Sequence, residues 1–175
     1  MSLADVQVRA AGYEPALVPA LADVLVDCVE GGASVSFMAP LPRHKALSFW
    51  RDVMESAHRG ERVLLVAEDD AGQLLGTVQV VLALPENQPH RGEICKMLVH
   101  RRARRRGVGA ALMRGAEVAA RAAGRSLLVL DTVTGGDAER LYTRLGWQRL
   151  GVIPGYALWP NGGRCDTTYF YKVLD

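Results

Sequence analysis

The densest chemistry in the sequence lies between Arg101 and Ala110, where five arginines run into Gly107-Val108-Gly109. A glycine-rich turn that opens a helix is a device for binding phosphate. The first helical N–H groups lack partners, the helix dipole adds partial positive charge, and glycine lets a ligand come close. Neighbouring arginines add charge-assisted hydrogen bonds to phosphate oxygens. A P-loop would need GxxxxGK(S/T), which is absent, and a dinucleotide turn would need a third glycine where Leu112 stands. The pattern that fits is Arg/Gln-x-x-Gly-x-Gly/Ala, from Arg104 to Gly109. Taken alone, these six residues also suit a tight turn carrying solvated arginines, or a contact with nucleic acid.

Other residues could handle protons. Asp131 is the first ionisable residue after the apolar run Leu127-Leu128-Val129-Leu130. That places it at the carboxyl end of a strand, where α/β sheets concentrate ligand chemistry. It suits a general base or a positioning group, and equally a cap for the following loop. Glu93 is a second carboxylate, sharing strand parity with Cys95 and Met97. It can serve as the base, directly or through water, or stand as a paired surface glutamate. Tyr142 falls at helical spacing with Ala138, Leu141 and Leu145, as a core tyrosine would. His44, His58, His90 and His100 show no metal-ligand spacing and read as surface or loop residues. Cys28, Cys95 and Cys165 form no CxxC pair, so neither a disulfide framework nor a zinc site is expected. Cys95 reads as a small buried side chain.

These residues need elements to hold them. Val6 to Arg9 alternates as a short strand, and helices are predicted from Glu14 to Gly31 and from Arg43 to Ala57. Between them lies the glycine-rich, apolar-tipped loop Gly31 to Phe37. Three strands follow: Arg62 to Glu68, Leu74 to Leu84, and Gly92 to Val99. The basic turn then leads into a helix from Gly107 to Ala123, with Val108, Leu112, Ala116 and Ala119 on one face. Leu127 to Leu130 lacks alternation, as a strand buried on both faces would. Thr134-Gly135-Gly136-Asp137 reads as the capped start of a short helix ended by Gly146. A final strand pair, Trp147 to Ala157 and Thr167 to Val173, flanks the turn Pro160 to Gly163. The order βααβββαβαββ describes one mixed α/β domain.

Composition sets the outer limits. A chain of 175 residues, 49% hydrophobic and 23% charged, suits a single globular domain with a sizeable core. A net charge of +2 is too small to imply a polyanionic partner. No segment approaches the roughly 20 apolar residues of a membrane span, and Met1 to Gly12 has no apolar core of signal-peptide length. A cytoplasmic protein without membrane or nucleic-acid partners is expected.

With strand, basic glycine turn and helix in this order, the sequence resembles the GNAT acetyltransferase superfamily over nearly its whole length. The resemblance implies a single-domain acyl-CoA N-acyltransferase fold across residues 1–175, with a mixed, twisted sheet of six to seven strands and helices on both faces. It implies acetyl-CoA as cosubstrate, without a metal. In that family the turn holds the coenzyme pyrophosphate through backbone N–H groups, a role that falls on Arg104, Arg105, Arg106, Gly107, Val108, Gly109 and Ala110. The preceding strand splays from its neighbour and pairs with the pantetheine arm, which implicates Met97, Leu98 and Val99. The Leu98 N–H is placed to polarise the thioester carbonyl. Gly135 and Ala138 fall on the coenzyme side too, although Gly135 stands where the wider pattern often has asparagine. Arg101 and Arg102 suit either the coenzyme 3′-phosphate or plain solvation.

Transfer of acetyl to an amine needs a base for the amine, a donor for the developing oxyanion and an acid for the leaving thiolate. The family places the tyrosine of the segment Leu141-Tyr142-Thr143-Arg144-Leu145-Gly146-Trp147 near the coenzyme sulfur, which makes Tyr142 the acid. The segments Gly31-Gly32-Ala33-Ser34-Val35, Phe37-Met38-Ala39, Leu130-Asp131-Thr132 and Pro154-Gly155-Tyr156 resemble the tabtoxin-resistance acetyltransferases within that superfamily. That likeness implies a catalytic role for Asp131, with Glu93 or water as the other candidate base. The acceptor side of the fold would include Ser34, Phe37, Tyr156 and Trp159, suiting a small organic amine, though each residue suits packing equally. The expected activity is acetylation of a small antibiotic- or amino-acid-like amine by direct attack in a ternary complex. A protein N-terminus or lysine is the second possible acceptor, and a nucleic-acid-binding domain the non-enzymatic reading. A homodimer is compatible with the fold.

Overall fold

Runs rich in aliphatic and β-branched residues, closed by turn-forming residues, build an antiparallel meander of β2 (Arg62–Glu68), β3 (Leu74–Val81) and β4 (Arg91–Val99). The computed structural model describes residues 6–174. Met1 to Asp5, which belong to the N-terminal stretch read above, and Asp175 lie outside the described residues. β1 (Gln7–Ala10) pairs with β2, and β5 (Leu127–Val133) lies parallel to β4. β7 (Arg164–Val173) and β6 (Gln148–Leu158) complete a mixed seven-stranded sheet of order β1-β2-β3-β4-β5-β7-β6. β6 is therefore an edge strand. The parallel β4–β5 step requires a crossover, which α3 (Val108–Ala122) supplies.

Alternation along β2 divides the core in two. Leu65 and Ala67 face α3, whose Val108, Leu112, Met113, Ala116 and Ala120 pack on Leu75, Val78, Val80 and Ile94. Leu64 and Val66 face the other way, toward α1 (Val18–Glu30) and α2 (Arg43–His58), with Leu21, Leu25, Trp50 and Met54 filling that layer. Burial of this kind contributes about 25 cal/mol per Å² of apolar area. Small residues set how closely the layers approach. A Cβ at Gly115 would stand 2.9 Å from Val8 Cγ1, and one at Gly76 only 2.5 Å from the Leu98 carbonyl oxygen.

Two expectations need correction. β5 is not buried on both faces: Leu128 and Leu130 are buried, while Leu127 and Val129 are only half-buried, because α1 and α2 pack over β2, β3 and β4 and leave that side of β5 open. Thr134 does not cap α4 (Asp137–Arg144). The cap position is Gly136, without a side-chain bond, and the Thr134 hydroxyl instead pairs with that of Thr168 at 2.8 Å.

One buried polar cluster ties α3, α4 and β7 together. Lys172 Nζ donates to both carboxylate oxygens of Glu117 at 2.8 and 2.9 Å, and to the Leu145 carbonyl at 2.8 Å. Trp147 Nε1 donates to Glu117 Oε1 at 3.2 Å. Removing one partner leaves a desolvated charge. Lys172→Met should therefore destabilise the fold by about 3 kcal/mol, lowering Tm by on the order of 10 °C in thermal unfolding. An unchanged Tm would show that this pair contributes nothing.

Candidate active site

β4 and β5 share hydrogen-bonded register only from Arg91–Glu93 opposite Leu127–Val129. Beyond that point they part. The cause lies within β4, where the β3–β4 register shifts so that Val78 faces both Lys96 and Met97, with Lys96 at φ 51°. Such a bulge bends a strand and re-aims its side chains. Ile94 and Met97 both pack against the α3 layer, whereas Leu98 joins the α1–α2 layer. The expected common parity of Glu93, Cys95 and Met97 is therefore broken, since Met97 crosses to the opposite face. Cys95 is half-buried, with its thiol directed to Gln79 Oε1 at 3.8 Å. A cleft of about 1120 Å³ opens between the parted strands, lined by Ile94 to Val99 on one side and Leu130 to Val133 on the other.

At one end of the cleft, β4 passes through the turn Arg101–Ala103 to Gly107 at the start of α3. Arg105 and Gly107 adopt φ of 62° and 80°, and no side chain caps α3. Its first N–H groups are thus left for a ligand. Arg104, Arg105, Gly107, Val108, Gly109 and Ala110 line the cleft, beside Met97, Leu98 and Val99 of β4. A Cβ at Gly109 would lie 3.1 Å from Leu141 Cδ2 and 3.6 Å from Met97 Sδ, so a small residue is needed where α3, α4 and the bulged strand converge. A pyrophosphate fits this cradle, with N–H donors on one side and arginines around it.

Some expected members lie elsewhere. Arg106 is absent from the lining and donates to the Arg102 carbonyl at 3.4 Å. Gly135 is absent as well; Gly136 takes its place, with Ala138 in the wall. Arg101 stays exposed but is tied down, its guanidinium and backbone N–H both bonding Asp27, at 2.9 and 2.8 Å. Arg102 donates to the Leu74 carbonyl at 3.1 Å. His100 is half-buried, its Nδ1 accepting the Arg102 N–H at 3.2 Å. These three residues brace the turn against α1 and β3.

Tyr142 satisfies both readings made of it. It is 5% exposed and packs against Trp147 and Phe170, yet it also forms part of the cleft wall. Burial, followed by the nearby Asp131 charge, raises the phenol pKa, so Tyr142 stays protonated through neutral and mildly alkaline pH. Asp131 stands exposed at the end of β5 and accepts a hydrogen bond from Thr167 Oγ1 at 3.2 Å. Glu93 sits where β4 and β5 are still paired, 3.4 Å from Arg91, and does not line the cleft. The structure brings Tyr142 and Asp131 to one cavity and leaves Glu93 outside it.

The far end of the cleft is walled by the 31–42 loop and the β6–β7 hairpin. Ser34 Oγ donates to the Leu158 carbonyl at 2.7 Å, and the Ala39 N–H to the Pro160 carbonyl at 2.9 Å. Phe37 meets Phe49 edge-on at 5.2 Å. In β6 the register jumps from Ile153–Thr167 to Ala157–Cys165, so Pro154-Gly155-Tyr156 arches out. Gly155 N–H donates to Asp166 Oδ1 at 2.7 Å and holds that arch. Tyr156 hydroxyl lies 2.9 Å from that of Tyr169. This hydrogen bond, then burial and the Asp131 charge, pushes the Tyr169 phenol up to about 12. Ser34, Phe37, Tyr156 and Trp159 all line the cleft. Lys96, Arg114 and Thr167 line it too and were missed by sequence reasoning. Arg114 could have been found, one helical turn beyond Ala110; nothing in the sequence marks Lys96 as a bulge.

A strand that parts from its parallel neighbour, followed by a basic glycine turn at a helix start, defines an acyl-CoA transferase, and the profile of the acetyltransferase (GNAT) family matches residues 31–147. The chain belongs to this family: it is a GNAT acetyltransferase that draws on acetyl-CoA. Among solved structures it is similar to a GCN5-related N-acetyltransferase from Kribbella flavida, at 26% identity and TM-score 0.82, covering 99% of this chain and 100% of that one. A ribosomal-protein-alanine N-acetyltransferase from Brucella melitensis shares its fold at 24% identity and TM-score 0.82, over 96% and 99% of the two chains. So does a phosphinothricin acetyltransferase from Sinorhizobium meliloti in complex with acetyl-CoA, at 17% identity and TM-score 0.80, over 97% and 89%.

Gly109→Val would place branched carbons where Leu141 and Met97 already lie. Acetyl-CoA binding, followed by calorimetry, should weaken at least about tenfold, a loss of about 1.4 kcal/mol. Unchanged affinity would detach the turn from the coenzyme.

Proposed function

We propose that this chain, acting as one catalytic domain over residues 1–175, acetylates the primary amine of a small antibiotic- or amino-acid-like molecule by direct attack in a ternary complex. One observation carries the reading: a buried phenol, Tyr142, and an exposed carboxylate, Asp131, share the cleft between the parted strands. The likeness of the 31–39, 130–132 and 154–156 segments to tabtoxin-resistance acetyltransferases supports a small acceptor. So does the tie between the 31–42 loop and the hairpin, which walls the acceptor end of the cleft. The arginines do not present the continuous basic face that nucleic acid would need, since Arg101 is committed to Asp27 and Arg102 to a carbonyl.

Acetyl-CoA supplies the thioester acetyl group. The turn from Arg104 to Ala110 holds the pyrophosphate, with Arg106 outside the first contacts, and Met97 to Val99 run beside the pantetheine arm. The Leu98 N–H expected to polarise the carbonyl is directed at β3, in register with Thr77 and in step with the His100 N–H that bonds the Leu75 carbonyl, so that role passes to the outward N–H groups of Met97 and Val99. Asp131 orients the amine and takes its proton, and Thr167 fixes the carboxylate that does so. Tyr142, kept protonated by burial, donates to the departing sulfur. With Asp131 in the cleft, Glu93 acts at most through water.

Tyr142→Phe should lower kcat by about 10²-fold or more with little change in acetyl-CoA affinity; unaltered turnover would remove Tyr142 from the acid role. Asp131→Asn should lower kcat/KM, and the loss should shrink as pH rises toward about 10, where a free amine sheds its own proton. A pH profile matching the wild type would move the base elsewhere. For the activity itself, thiol release from acetyl-CoA is followed against a panel of small amines and peptide N-termini. Turnover confined to peptides, or strong heparin retention without acetyl-CoA binding, would overturn the proposal.

A further inference from the structure

The acceptor end of the cleft holds a cation that neither the fold nor the acetyl transfer explains. Lys96, the bulge residue, has φ 51°, and the residue it meets, Ser36, has φ 77°. Left-handed backbone is uncommon for residues other than glycine, asparagine and aspartate, and such strain gathers at functional sites. The two strained residues join through one hydrogen bond, Lys96 Nζ to Ser36 Oγ at 2.9 Å. The ammonium also lies 6.0 Å from the centroid of the Phe49 ring. Both neighbours are neutral. Among the described residues no carboxylate pairs with Lys96. Yet Lys96 and Ser36 line the same cleft as Asp131. The remaining cations of the wall, Arg104, Arg105, Arg114 and Arg144, belong to the phosphate turn, α3 and α4.

We infer that Lys96 is a specificity-determining cation which receives a carboxylate on the acceptor, so that the substrate is a zwitterion with its amine toward Asp131 and its carboxylate toward Lys96. This rests on the cleft being an amine-acetylating site. A hydroxyl and an aromatic ring hold the ammonium in place without neutralising it, which leaves its charge for a ligand. One positive and one negative group on opposite strands of a cleft match the charges of an amino acid. A simple amine would meet Lys96 as a like charge, which is how such a site rejects it.

The test uses acceptor pairs that differ only in the carboxylate: tyrosine and tyramine, tryptophan and tryptamine, lysine and cadaverine. The intact enzyme should favour the acid of at least one pair by about tenfold or more in kcat/KM, the size expected of a charge-assisted contact. Lys96→Met should bring that ratio to within about twofold of unity, and Lys96→Arg should keep most of it. A purely structural role would lower both members of a pair alike and leave the ratio unmoved. Acetylation of amines without preference for the acid, or a preference that survives Lys96→Met, overturns this inference and leaves the acetylation of small amines standing. Acetyl-CoA binding with no amine of any kind acetylated overturns both.

Discussion

A sheet paired along its full length has no interior space, and the placement of one surplus residue in β4 decides how this sheet is used. Because Val78 faces two residues of β4 where it would ordinarily face one, the strand swings from β5 after three paired positions. Everything functional follows from that parting. Coenzyme-facing backbone, the exposed end of β5 and the phenol of α4 become walls of one cleft. The same displacement fixes where β4 delivers the chain, and hence where α3 begins.

The cleft is kept open by rigid surroundings. Arg101 fastens the turn to Asp27 near the end of α1, while the His100 N–H and the Arg102 guanidinium reach back to carbonyls of β3. On the other wall, Lys172 holds the carbonyl that ends α4, and Trp147 both bonds Glu117 and lies against Tyr142. The acid role proposed for Tyr142 would depend on such a frame, because a displacement of about an ångström can cost on the order of 100-fold in rate. Charge burial far from the chemistry thus serves the chemistry.

Much of this was legible in the sequence, for identifiable reasons. The element order, the strand–turn–helix at Arg104–Gly109 and the short helix bearing Tyr142 are local patterns, written in periodicity and glycine placement. Non-local effects were not legible. The swing at Lys96 is carried by a residue with no special backbone preference, so strand parity pointed Met97 to the wrong face. The half-open face of β5 depends on where α1 and α2 stop, which four apolar residues cannot reveal. The arginine run looked uniform, yet its members separate into cleft walls and structural braces according to partners far away in the chain, Asp27 and Leu74. The segment Thr134 to Asp137 does open α4, but through Gly136, while the Thr134 hydroxyl pairs with Thr168 on β7.

The arch at Pro154-Gly155-Tyr156 has a consequence outside the cleft. β6 ends the sheet, and its Leu150, Ile153 and Leu158 are 73%, 44% and 49% exposed, the make-up of a strand that invites another molecule to add alongside. The arch interrupts that invitation. Proline contributes no donor, and Gly155, at φ 60°, turns its N–H onto Asp166. A row of backbone groups that would otherwise template polymerisation is cut in two. The arch that brings Tyr156 into the cleft wall thus also breaks up an edge that would otherwise be open to strand addition.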